Sequence, residues 1–313
     1  MRKATIATLV TTMLIGLGAL APAPAQASAQ VSVSFFYDSL APHGNWYATA
    51  GYGYAWQPTH VSFGWRPYYD GRWVYTDFGW TFVSSDPWGW AAYHYGRWVF
   101  DPFYGWLWVP GTEWAPAWVV FYQGAGYVGW APIPPGVSLS VVFGGGYRLP
   151  SSHYVFVEER HFLDSRVGRR ALPVERNTRL VRETRGVTRL SRSGDRYAVR
   201  GLEVAPIERS ARRKVERLRV VDVADGRGGG RSRIGRDRVE LFRPRVSAQE
   251  THAPKLVRDD RRGGRSAAKV ETERRGGRGG KSVEPRSARG GSARGKGKAA
   301  RDRGRPPLPF SPR

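Results

Sequence analysis

Gly71-Arg72-Trp73-Val74-Tyr75-Thr76-Asp77-Phe78-Gly79-Trp80-Thr81-Phe82-Val83 sets two short aromatic and β-branched runs on either side of a turn-forming segment. Such residues suit strands, and a glycine closing the turn supplies the positive φ that a tight hairpin needs. The pattern recurs. Gly96-Arg97-Trp98-Val99-Phe100 is followed by Gly105-Trp106-Leu107-Trp108-Val109, and Gly44-Asn45-Trp46 by Gly53-Tyr54-Ala55-Trp56. The second glycine falls at 53, 79 and 105, a spacing of 26 each time. The links match as well: Gly64-Trp65-Arg66-Pro67-Tyr68 parallels Gly89-Trp90-Ala91-Ala92-Tyr93, and a degenerate fourth element stands at Gly129-Trp130-Ala131-Pro132. Self-similarity at a fixed period indicates a repeat architecture. The expected fold is an all-β repeat domain of antiparallel hairpins over residues 30–149, closed as a sheet or small barrel. A small, basic, mixed α+β region over 150–246 and a disordered Arg/Gly-rich tail over 247–313 follow it.

Alternation along the strands puts Trp73, Tyr75, Trp80 and Phe82 on one face, and Trp98, Phe100, Trp106 and Trp108 on the matching face of the next unit. Val74, Thr81, Val99 and Leu107 take the opposite face. A ladder of rings is first of all a core, because each ring can bury about 150–250 Å² and the chain has no cysteine for disulfides. The alternative is a stacking platform for sugar rings or other planar partners. Trp65, Trp88 and Trp90, beside Gly and Pro in segments read as loops, and His94 between two tyrosines, are the ligand-platform candidates. Asp77 and Asp101 are read as occupying similar turn positions.

Charge divides the chain. Residues 1–150 carry six Arg/Lys and six Asp/Glu; residues 151–313 carry 44 and 20. All thirteen tryptophans fall between Trp46 and Trp130. In the basic half, Tyr154–Val157 and Val215–Val223 read as strands, Glu158–Asp164 as a helical turn and Val204–Arg212 as a short helix. The tail contains Arg262-Gly263-Gly264 and Arg275-Gly276-Gly277-Arg278-Gly279-Gly280, a composition that cannot bury enough apolar surface to order itself. Arg262, Arg265, Arg274, Arg275, Arg278 and Lys281 are its candidate polyanion-binding residues. At the other end, Met1-Arg2-Lys3, an uncharged apolar run and Ala25-Gln26-Ala27-Ser28-Ala29 follow the order of a secretory signal peptide. Residues 1–29 are therefore expected to be cleaved, and the product to be exported to periplasm, cell surface or medium. No later apolar run is long enough to span a bilayer as a helix, and no cysteine can carry a lipid.

The run Gly71–Tyr75, Gly79-Trp80, Pro87-Trp88-Gly89-Trp90, Tyr93–Trp98, Gly105–Gly111 and Trp114–Val119 resembles an uncharacterised family of exported bacterial proteins, a domain of unknown function. Arg200-Gly201-Leu202-Glu203-Val204, Arg217–Asp222 and Phe242-Arg243-Pro244-Arg245 extend the resemblance, which covers about residues 36–246. It implies an envelope or secreted protein and brings no catalytic residues with it.

Motifs for chemistry are missing from the sequence. It holds no Gly-x-Ser-x-Gly, no His-Glu-x-x-His and no phosphate loop, and zero cysteines exclude thiol nucleophiles and zinc-thiolate sites. Gly144-Gly145-Gly146 reads as a turn. The acids Asp38, Asp70, Asp77, Asp86, Asp101 and Glu113 lie mostly at turns, and nothing selects a glycosidase pair among them. No cofactor or metal is expected, and no oligomeric state is implied. Three functions stay open: a non-catalytic envelope protein binding or organising an anionic polymer or polysaccharide, with the tail as a tether; a binder of extracellular DNA through the Arg-Gly runs, RNA being an improbable partner for an exported chain; and a hydrolase of envelope polysaccharide or peptidoglycan.

Overall fold

Each glycine at 53, 79 and 105 closes a hairpin with positive φ, at 68°, 88° and 76°. Hairpin one pairs Gly44–Thr49 with Gly53–Pro58, hairpin two Arg72–Thr76 with Gly79–Val83, and hairpin three Arg97–Asp101 with Gly105–Val109. The computed structural model describes residues 30–143, 148–193, 196–223, 232–258 and 267–269; residues 1–29 and the six basic tail residues named above lie outside the described residues. The degenerate fourth element is the return strand of a further hairpin, Val119–Gly124 with Tyr127–Pro132. Its two loop residues, Ala125 and Gly126, both have positive φ (49° and 79°), as a two-residue hairpin turn of the favoured twist requires.

The turns share a device that corrects one reading of the sequence. Thr49 Oγ1 accepts from Tyr52 N, Thr76 Oγ1 from Phe78 N, and Asp101 Oδ1 from both Phe103 N and Tyr104 N. The residue just before each loop thus holds the turn with its side-chain oxygen. Asp101 is the counterpart of Thr76, not of Asp77, whose carboxylate instead pairs with Arg217 at 3.0 Å.

The hairpins are distributed over three sheets. Hairpins one and three join through the pair Trp56 and Trp108, and strands Leu256–Arg258 and Ala267–Lys269 extend that sheet to six strands beside Gly44–Thr49. Hairpin two sits inside a seven-stranded sheet. Arg196–Arg200 lies parallel to its return strand, and Arg217–Asp222 lies parallel to Arg72–Thr76. Hairpin four is flanked by Val155–Glu158 and Arg185–Gly186. The basic region therefore adds strands to sheets begun by the repeat, and residues 150–246 are not a body apart. The elements expected there are present: strands Val155–Glu158 and Arg217–Asp222, a 3₁₀ turn at Glu159–His161 and helix Val204–Ala211. Nor does an unstructured tail begin at 247. Ser34 Oγ donates to His252 O at 2.8 Å, and Leu256–Arg258 is a strand.

Between the sheets twelve of the thirteen tryptophans belong to one continuous core. Trp73 meets Phe121 at 4.8 Å, Phe82 at 5.0 Å and Trp130 at 5.6 Å between ring centroids, and Trp88 bridges to Trp56 at 5.3 Å. Seven indoles (Trp46, Trp56, Trp80, Trp98, Trp108, Trp118 and Trp130) donate Nε1–H to the carbonyls of Tyr37, Leu40, Leu202, Ala92, Tyr95, His94 and Tyr68. Each ring thus contributes apolar area while its polar atom fixes a loop or link against the sheet, which satisfies a donor that would otherwise be costly to bury. Two arginines are also absorbed. Arg97 lies 3.3 Å over the Trp118 ring, and burial lowers its pKa to about 10. Arg243, beside Trp114 at 4.6 Å and Phe78 at 5.0 Å, is ion-paired with Asp222, so Phe242-Arg243-Pro244 locks into the core as Tyr95 Oη donates to Pro244 O.

Candidate functional site

The repeat supplies its own control. Tyr75 opposite Trp80 in hairpin two and Phe100 opposite Trp106 in hairpin three are the same cross-strand pair. In hairpin two its indole is sealed: Trp80 is fully buried, bonded to Leu202 O at 3.1 Å and met by Phe162 at 4.9 Å. In hairpin three only the indole is covered: Trp106 is 9% exposed, with the His153 ring 4.8 Å away. Phe100 is 46% exposed and, with Trp106, lines an open cleft of about 700 Å³. Tyr104, Gln57, Trp65, Arg66, Tyr69, His153 and Glu175 complete the walls, so the cleft lies between hairpin three, the link after hairpin one and the segment Ala171–Glu175.

Its chemistry is aromatic with scattered hydrogen-bonding groups. The His153 ring stands 4.8 Å from Trp106 and 5.7 Å from Phe100, and burial lowers its pKa below the ordinary imidazole value of 6.5, which keeps it neutral at pH 7. Arg66 Nη1 donates to Tyr154 O at 2.7 Å, and its guanidinium stands 5.9 Å from the Tyr69 ring. Two donors in the wall, Trp65 Nε1 and Arg66 Nε, are buried and have no acceptor. Cavities of this size that are largely apolar, with a few convergent polar groups, suit a small molecule or one to a few units of a polymer. Among the described residues no group of three or more His, Asp or Glu side chains could hold a metal ion.

The four sequence candidates are brought into the core and not to the surface. Trp65, Trp88, Trp90 and His94 are 7%, 6%, 5% and 2% exposed. The reading of the links as surface loops is corrected here: Gly89–Ala92 is a buried helical turn, and Trp90 packs on Phe242 at 4.9 Å. Trp65 alone of the four borders the cleft, with its ring held against Trp98 at 5.4 Å. His94 is a core histidine. Its Nδ1 lies 3.0 Å from Ala115 O, its ring stacks on Trp114, and burial pulls its pKa down to about 4. Phe100, Tyr104 and His153 were not singled out by the sequence, because what leaves them open is the placement of chain from beyond residue 150.

The sequence match covers the front of this arrangement. Residues 37–137 match a family of unknown function, DUF6600. The DUF6600 span begins within helix Ser34–Leu40 and runs through all four hairpins. It is narrower than the resemblance drawn from the sequence and leaves out Arg200–Val204, Arg217–Asp222 and Phe242–Arg245. It includes the cleft residues Gln57, Trp65, Arg66, Phe100, Tyr104 and Trp106, while His153 and Ala171–Glu175 lie beyond it. Comparison with curated proteins and with solved structures finds no match. No helix among the described residues is long and apolar enough to cross a membrane.

Proposed function

We propose that this protein is a non-catalytic, exported component of the cell envelope that holds a glycan strand in the aromatic cleft of hairpin three. The observation that carries this reading is Phe100, 46% exposed in the cleft beside the edge of Trp106, whereas the corresponding indole in hairpin two, Trp80, is sealed by Leu202 and Phe162. A sugar ring presents an apolar C–H face to such a pair and hydroxyls to the edges. His153 and Glu175 line the cleft with polar groups that can meet those hydroxyls. Export rests on the charge, apolar run and small-residue order of residues 1–29. The basic tail serves as a tether to anionic envelope material.

The test is affinity electrophoresis and sedimentation with soluble envelope polysaccharides and with insoluble peptidoglycan. Phe100→Ala and Tyr104→Ala should weaken binding about tenfold each, the loss of one stacking contact. Phe103→Ala, at a still more exposed ring outside the cleft, should leave binding unchanged. Equal binding by all three variants, or release of reducing ends from the polysaccharide, would sink the proposal.

A further inference from the structure

The repeat places an arginine at the same position in hairpins two and three, and their surroundings differ. Arg97 is spent on the Trp118 ring inside the core. Arg72 opens instead into a groove formed by two adjoining cavities, of about 960 and 590 Å³, which share Arg72, Ser165, Arg166, Arg169 and Ile234. Arg170, Arg213, Lys214 and Arg236 add to the walls, so seven cations face three carboxylates: Asp70, Asp164 and Glu216.

Some of this charge is already balanced. Arg170 pairs with Asp164 at 2.9 Å, and Lys214 with Glu208 at 3.5 Å. Among the described residues, Arg72, Arg166, Arg169 and Arg236 have no carboxylate within salt-bridge distance. Three of these four come from different elements: a hairpin strand, the 3₁₀ turn Val167–Arg170, and the turn between strands Arg233–Ile234 and Arg238–Leu241.

The turn that carries Arg169 and Arg170, with Arg166 just before it, is fixed in place. Val167 N donates to Gly71 O at 2.9 Å and Gly168 N to Tyr69 O at 3.1 Å. The approach is so close that a Cβ at Gly168 would stand 2.3 Å from Tyr69 O. Arg169 is close enough to Asp70 to act on its carboxyl electrostatically, but the cations of the groove outnumber its carboxylates, and guanidinium forks match phosphate and carboxylate geometry.

We infer that this groove is a binding site for an anionic polysaccharide bearing phosphate groups, formed by the folded part of the chain and independent of the basic tail. The groove is longer than a single phosphate needs. It also offers little for the stacking that single-stranded nucleic acid uses: of the aromatic rings along it, Trp73 is buried and Tyr75 is half-buried against Trp80. A repeating phosphate on a sugar chain fits both features. The inference does not depend on the cleft of hairpin three.

The experiment compares the full chain with a chain ending at Val270, the boundary of the compact unit. Each is made with and without the triple change Arg166→Gln, Arg169→Gln, Arg236→Gln. The probes are a phosphomannan, a polygalacturonate, a neutral dextran and a single-stranded oligonucleotide, titrated against salt. The chain ending at Val270 should bind the phosphomannan and ignore the dextran. In that background the triple change should lower the slope of log affinity against log salt by about 2, with the melting temperature unchanged, since these side chains are exposed. Loss of phosphomannan binding on truncation alone, or an unaltered slope in the triple variant, would overturn the site. Tighter binding of the oligonucleotide or of the polygalacturonate than of the phosphomannan would overturn the ligand.

Discussion

Hairpins two and three share a Gly-Arg-Trp-Val opening and a Gly-Trp return, yet one is interior and the other is edge. Strands from the basic half flank hairpin two on both sides; its tip ring Phe78 packs on Trp114, its return glycine touches Val199, and Trp80 is bonded to Leu202. Hairpin three is an edge of its sheet, with Phe103 74% exposed at its tip and Phe100 open to the cleft. The difference shows that the repeat specifies hairpins but not their burial. Burial is decided by where later chain is laid.

Trp80→Ala against Phe100→Ala is the sharpest way to break that comparison. Deleting the sealed indole should cost about 3–5 kcal/mol, from lost contacts and an orphaned Leu202 carbonyl, while Phe100→Ala should cost less than about 1 kcal/mol. Equal losses in denaturant unfolding would mean that hairpin three is covered in solution. The glycines should split in the same direction. Gly79→Ala must adopt φ near 88° and bring its Cβ to 1.9 Å from Val199 O, whereas Gly105 has open space around it at φ 76°. The first should cost about 3 kcal/mol, from strain plus displacement of a strand, and the second about 1 kcal/mol from strain alone.

The histidines sharpen the contrast through pH. His94 is held near 4 in the fold against 6.5 for a free imidazole. Its neutral form stabilises the fold fully above pH 6.5, and the contribution is lost as pH falls toward 4, a change of about 3 kcal/mol. His94→Gln should flatten that part of the stability profile measured by urea unfolding between pH 7 and 4.5. His153, in the cleft and only half-buried, has a smaller effect to show. Its imidazole resonances should titrate below 6.5, and bound glycan should move them; resonances indifferent to glycan would place the ligand elsewhere.

The hairpins were legible because three constraints coincide in sequence: aromatic and β-branched runs, a side-chain oxygen before the loop, and glycine where φ is positive. The strands of the basic half were legible by the same logic, since Arg217-Leu218-Arg219-Val220 alternates charged with apolar residues and buries Leu218. Their partners were not. Nothing local in Arg217–Asp222 says that it lies parallel to Arg72–Thr76, because parallel pairing across such a separation leaves no turn to read. The site was misread for a related reason. Glycine and proline beside Trp65, Trp88 and Trp90 indicate a break in regular structure, and in a protein with this many rings a break can be a buried corner.

Gln30–Ser32 runs parallel to Arg245–Ser247, and Ser34 Oγ accepts from His252 N across 218 positions of sequence. A polypeptide made from its N terminus has produced all four hairpins and all thirteen tryptophans before the segment that closes them exists. Non-local closure of this kind is slow, because chain entropy must be given up before the contacts that compensate it can form. The pairing of residues 245–258 with residues 30–47 is therefore among the slow steps of maturation. Until that return, strand Gly44–Thr49 is an open sheet edge, vulnerable to pairing with its own copies.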